Sequence, residues 1–213
     1  MQELLNKWGI KIDYNLILNM WNESHRHYHN QTHLVDLIDN INSIKFESTK
    51  DCEKLILAAL FHDIIYNPMR NDNEERSAKF FIDHCVEKNS DVYDIEEIIL
   101  ETKTHNPSTK LSEIFSDLDM SIVKSDFPKL LEWEEGIWEE YKGVGRERYK
   151  EGRLNFLNSL LDKYPTNWEN LSLSTRAWIV DKFALGTERK SLKDFLSKQD
   201  YPSAFQSLKK DVK

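Results

Sequence analysis

Apolar residues recur at three- and four-residue spacings along nearly the whole chain, with little to interrupt them. Glycine occurs 6 times and proline 5 times in 213 residues. A many-stranded sandwich or barrel needs a turn about every 8–12 residues, and the residues that build such turns are scarce here. The period is that of amphipathic helices, and the expected fold class is all-α.

Asp13 can cap a helix carrying Tyr14, Ile17, Leu18 and Trp21, and Leu34, Leu37, Ile38 and Ile41 share one face of the next. Asp51 is expected to cap a helix through Leu55, Leu57, Ala58 and Phe61. Being apolar on nearly all sides, that helix should be central and buried. It should end near Asn67-Pro68, because the residue before a proline leaves the helical region. Asp72 or Asn73 opens a helix to about Asn89, with Ala78, Phe81, Ile82 and Cys85 inward. Asp94 opens another through Ile95, Ile98 and Ile99, stopping at Asn106-Pro107, and a further helix spans 112–125. From Phe127 to about Leu196 the pattern is two or three long amphipathic helices, rich in Trp, Tyr and charge, before a tail after Asp200 that is expected to be mobile. The change of character at 125–128 sets a helical core over 1–125 and a C-terminal helical extension over 126–213.

The balance of 39% hydrophobic and 31% charged residues suits a folded globular chain rather than a disordered one. The longest uninterrupted apolar run, Leu55 to Phe61, is far too short to span a bilayer. The first ten residues lack the apolar stretch of a signal peptide. Cys52 and Cys85 read as reduced thiols, which places the protein in the cytoplasm. A net charge of −8 argues against a broad nucleic-acid or membrane surface and leaves room for a local basic pocket.

Three features sit badly with an inert core. His33 continues the face of Leu37 and Ile41, so its imidazole points inward. His62-Asp63 ends the apolar stretch, where a carboxylate must be paired, hydrogen-bonded, protonated or on a metal. Asp119 lies among Phe115, Leu118, Met120 and Ile122. Each alone has a bland reading: a histidine satisfied by a carbonyl, an isolated His-Asp dipeptide, a carboxylate capping a helix. Together they make a set of two nitrogens and two oxygens fit for one divalent cation, whose charge would allow both carboxylates to be buried.

The order His33, His62-Asp63, Asp119, all on helices, resembles the HD superfamily of metal-dependent phosphohydrolases. Within it the chain is similar to a group marked by Arg-x-Tyr-His-Asn-x-x-His (Arg26 to His33), Phe-His-Asp-x-x-Tyr (Phe61 to Tyr66), Asn-Glu-x-x-Ser-Ala (Asn73 to Ala78), Thr-x-x-His (Thr102 to His105) and Asp-x-Asp (Asp117 to Asp119). The resemblance covers about residues 20–160. The resemblance implies an HD-domain-like helical bundle, with His33, His62, Asp63 and Asp119 holding one divalent ion (Mn, Fe, Co, Ni, Zn or Mg). Asp117 is the rival for the last place. It implies Glu74, or Glu75 in its stead, and Asp63 as groups acting on the attacking water. Arg26, His29, Lys103 and His105 would form the polar wall around a phosphate, with Arg26 also stabilising the transferred group; His105 could instead serve a second metal. The implied activity is hydrolysis of a small phosphate ester, a nucleotide or phosphorylated metabolite. The alternatives are an HD-like di-iron oxygenase and a non-catalytic nucleotide-sensing module.

Beyond these segments, the charge run from Arg146 to Arg153 reads first as a solvated helix face and second as a source of an arginine for the phosphate. Trp133, Trp138 and Tyr141 are expected to pack the extension on the core.

Overall fold

The computed structural model describes residues 1–125, 127–145, 148–149, 151–153 and 155–156. Among them the regular structure is helical, as the period requires, with no strand. The helices are α1 (Gln2–Lys7), α2 (Tyr14–Trp21), α3 (Gln31–Ser43), α4 (Thr49–Phe61), α5 (Asn73–His84), α6 (Ser90–Glu101), α7 (Lys110–Asp119) and α8 (Phe127–Tyr141), with 3-10 turns at Met120–Lys124 and Lys142–Val144. None of the described helices is long and apolar enough to cross a membrane. The chain divides into two units, Met1–Met120 and Ser121–Lys213, where the sequence break stood at 125/126. Arg146, the helices expected between 157 and 196, and the tail after Asp200 lie outside the described residues.

In the first unit α4 packs against α3, α5, α6 and α7. Its residues Leu55, Leu57, Ala58, Ala59, Leu60 and Phe61 are 0% exposed. Each of the large side chains contributes about 1.5–3 kcal/mol by leaving water, which is why a helix at the centre is apolar all round. Cys52 and Cys85 are unbridged, and burial pushes the Cys85 thiol up to about 11, so it is a packing residue.

Several helix ends differ from the sequence reading, each for an identifiable reason. Asp13 caps α2 as expected, accepting from Asn15 N at 2.7 Å. The cap of α4 is Ser48, and Asp51 lies in the first turn, at the positive end of the helix dipole. Helix α6 starts under Asn89, whose side chain accepts from Val92 N. Asp94 serves instead as an ion-pair partner. Lys54 Nζ reaches it at 2.6 Å and Asp91 at 2.8 Å, tying α4 to α6. Helix α5 stops at His84 because the next residues pair with the segment after α1: Lys11 N donates to His84 O at 2.8 Å and Val86 N to Gly9 O at 3.0 Å. Gly9 turns the chain there with φ +65°, a conformation that favours glycine. Thr109 and Ser112 form a reciprocal cap on α7, which ends at Asp119 instead of running to 125. Helix α1 has only six residues, too few for a period to register, yet it buries Leu5 completely.

In the second unit the aromatic residues pack on one another. Trp133 meets Phe156 with ring centroids 6.1 Å apart, and Tyr149 lies 5.0 Å from Trp138 and 6.5 Å from Tyr141. Arg153 is buried, its guanidinium over the rings of Trp133 at 4.6 Å and Phe156 at 4.7 Å. This corrects the solvated-face reading at Arg153: a guanidinium stacks on aromatic faces when its helix turns it inward.

Candidate metal centre

The donors arrive from three helices. Asn30 caps α3 by accepting from Thr32 N at 2.8 Å, and that start sets His33 on the face that buries Leu37 and Ile41. His62 is the C-cap of α4, with its N–H bonded to Ala58 O. Asp119 is the last residue of α7. His33 Nε2 lies 3.1 Å from Asp119 Oδ1, and His62 Nε2 lies 3.5 Å from the same oxygen. One ligand atom from each of the three side chains falls within 4.8 Å of the others. Asp63 flanks them, with Oδ2 3.3 Å from His62 Nε2. Trp21 and Phe115 wall the group, their rings 5.4 and 5.6 Å from that of His62.

The decisive detail is at His62. Its Nδ1 lies 3.0 Å from Ala59 O. A carbonyl only accepts, so Nδ1 carries the hydrogen, and when the ring is neutral the Nε2 lone pair faces Asp63 and Asp119. Nε2 is buried and makes no hydrogen bond. A lone pair facing two carboxylates is repulsive unless a positive charge, a bound cation or a proton on Nε2, stands between them. The donor set suits a divalent cation, and the Ala59 carbonyl behind the ring is the usual orienting partner of a ligating histidine.

In the metal-free chain a second proton on His62, at Nε2, would supply that positive charge. Burial would push the Asp119 carboxyl up, but His62 and His33 overcome this and hold it well below the usual carboxylate range. Asp63 is lowered in the same way, mainly by His62 against its own burial. Burial would push the His62 imidazole down, but Asp63 and Asp119 raise it well above its ordinary 6.5. In the metal-free chain this has a definite sign. A histidine raised on folding contributes stability that is complete below its unfolded pKa and is lost as pH rises through the folded value. The two lowered aspartates contribute above the ordinary 3.8, and that part is lost as pH falls through their folded values. With chelator present, the urea midpoint should be highest in mild acid and fall as pH is raised above 6.5. A midpoint that climbs into the alkaline range would contradict this pairing.

The open alternatives separate by exposure. Asp117 is exposed on α7 while Asp119 turns inward. Glu75 is exposed and ion-paired with Lys103, whereas Glu74 is half-buried. Burial raises the Glu74 carboxyl, and Asp63 raises it further, so the two carboxylates feel each other.

The expected phosphate wall is only partly assembled. His29 stands edge-on to His33 at 6.1 Å and its charge acts on Asp63. His105 holds an unusual φ of +48°, with Nδ1 3.5 Å from Ser116 Oγ and 3.9 Å from Asp119 Oδ2. Lys103 is exposed and donates to Asn71 O at 2.6 Å and to Glu75. Arg26 does not stand on the wall. Its side chain is 0% exposed. Four of its five N–H donors are engaged, by Glu23 Oε2 and by the carbonyls of His29, Asp63 and Ile64. Trp21 and Tyr66 lie 5.3 and 5.2 Å from its guanidinium carbon. The role of phosphate ligand expected of Arg26 is therefore replaced by an internal one.

Two residues of the Asn-Glu-x-x-Ser-Ala segment also prove structural. Asn73 Oδ1 accepts from Asn67 N at 3.0 Å, and Ser77 Oγ accepts from Ile65 N at 3.1 Å. The signal was present in the sequence: Asn73, Ser77 and Phe81 are four apart, so two polar side chains share the buried face of α5.

Compared with protein-family models, with curated proteins and with solved structures, the chain matches none.

Proposed function

We propose that the protein is a metal-dependent phosphohydrolase of the HD type, acting on a small phosphate ester. The observation that carries this is the His62 Nε2 atom, buried without a hydrogen bond between Asp63 and Asp119. His33, His62 and Asp119 would hold a divalent cation, with Asp63 beside them. Such an ion lowers the pKa of a water to about 7 in favourable sites and draws charge from a phosphoryl oxygen. Glu74, half-buried and with its carboxyl raised by that burial, is suited to take a proton from that water. His29 and His105 border the donors and can donate to phosphate oxygens, while Lys103 contributes positive charge at the rim. Positioning and charge neutralisation of this kind are most of what phosphoryl transfer asks of a protein.

The test is a panel of phosphate esters offered to purified protein with Mn, Mg, Fe, Co, Ni or Zn. Metal-dependent release of phosphate, lost in Asp119→Asn, is the expected result. Binding without turnover under every metal would point to the sensing module instead. One observation favours the oxidative alternative: Asp119 turns Oδ1 to His33 and Oδ2 toward His105, as a carboxylate shared by two ions would. Two irons per chain by elemental analysis would decide for it.

A further inference from the structure

The segment after α4 explains why neighbouring residues can share one target. On a continuing helix, adjacent side chains diverge by about 100° and do not meet. Here His62 Nε2 and Asp63 Oδ2 are 3.3 Å apart. Helix α4 ends at Phe61, well short of Asn67-Pro68. In a continued helix the Asp63 and Ile64 carbonyls would be met by the N–H groups of residues 67 and 68. The first is taken by Asn73 Oδ1, and Pro68 has none. Arg26 supplies both carbonyls instead, Nη1 to Asp63 O at 2.8 Å and Nη2 to Ile64 O at 3.1 Å. The same Nη1 also reaches His29 O at 3.0 Å.

One buried cation thus pins the two backbone segments that carry Asp63 and His29, while Trp21 and Tyr66 cover its faces. Its positive charge also sits at the negative end of α4, where it is favoured. Bidentate geometry is required, because a lysine ammonium cannot address three carbonyls and a carboxylate in one plane.

We propose that Arg26 is a positioning residue that ends α4 and aims the Asp63 carboxylate at the cation held by His62. The inference rests on the cation site proposed above, and the experiment separates the two. Cobalt(II) is titrated into metal-free wild type, Arg26→Lys, Asp63→Ala and the double variant, followed by visible absorption. Arg26→Lys should weaken cobalt binding by about 10–100-fold and change the band intensities, as loss of an orienting partner does. In the Asp63→Ala background it should cost nothing further, because the residue through which it acts is gone.

Unchanged affinity in Arg26→Lys, or penalties that simply add, would overturn the positioning role and leave the cation site standing. If wild type takes up cobalt no better than His62→Ala, the site itself is wrong and the inference falls with it. Should Arg26→Lys not fold, Glu23→Gln gives a second reading. It removes only the half-exposed partner of Arg26 Nε and should weaken cobalt binding by about 2–5-fold, an effect again absent without Asp63. No effect in Glu23→Gln would count against the proposal.

Discussion

The double variant His62→Ala with Asp63→Ala should retain no divalent cation after dialysis and have no phosphatase activity, yet keep a helical circular dichroism spectrum. Two of the four proposed donors vanish together, and His33 with Asp119 makes too small a set to bind tightly. Removing both members of the contact also matters for the fold. A lone Asp63→Ala leaves His62 Nε2 with one carboxylate fewer, and a lone His62→Ala leaves Asp63 without its closest imidazole, so each single change strands a buried polar partner. The pair together avoids most of that penalty. The helices that carry these residues are held elsewhere, by the apolar contacts of α4 with α3, α5, α6 and α7. Elemental analysis and circular dichroism on the same sample give both readouts. Wild-type metal content in the double variant would defeat the donor assignment.

Trp21→Ala should be the most damaging single truncation near the site, lowering stability by about 3–5 kcal/mol. The ring is 0% exposed, stands beside the His33 and His62 imidazoles, and covers one face of the Arg26 guanidinium. Its Nε1 donates to Leu60 O at 3.0 Å, one of the carbonyls that α4 leaves unmatched near its end. Truncation opens a cavity against two imidazoles and a buried cation, which water would enter at a cost to all three. Trp21→Phe keeps most of the apolar area and loses chiefly the hydrogen bond, so it should cost only about 1–2 kcal/mol. Urea unfolding of the three proteins gives the ranking. A Trp21→Ala midpoint within error of wild type would show that the ring does not support the site.

The reading of single helices from the sequence was most accurate where the information is local. The face of Leu34, Leu37 and Ile41 is buried on α3, Asp13 caps α2, and α4 buries Lys54, Leu55 and every residue from Leu57 to Phe61. It failed where a distant partner intervenes. Asp94 looks like a cap until Lys54 claims it, and α5 looks longer until Ile10 pairs with Cys85. Proline marks 68 as a boundary, but α4 stops earlier because Arg26, Asn73 and Ser77 hold the chain in another path.

The all-helical class, the buried helix at the centre and the identity of the side chains that could serve a cation are legible in the order of residues, because period and residue chemistry are properties of short stretches. Tertiary structure alone decided that Asp119 and not Asp117 faces the histidines, that Glu74 and not Glu75 feels Asp63, and that Arg26 is enclosed. Those choices depend on where each helix ends and which distant backbone groups a side chain can reach. A spacing along one helix carries no record of either.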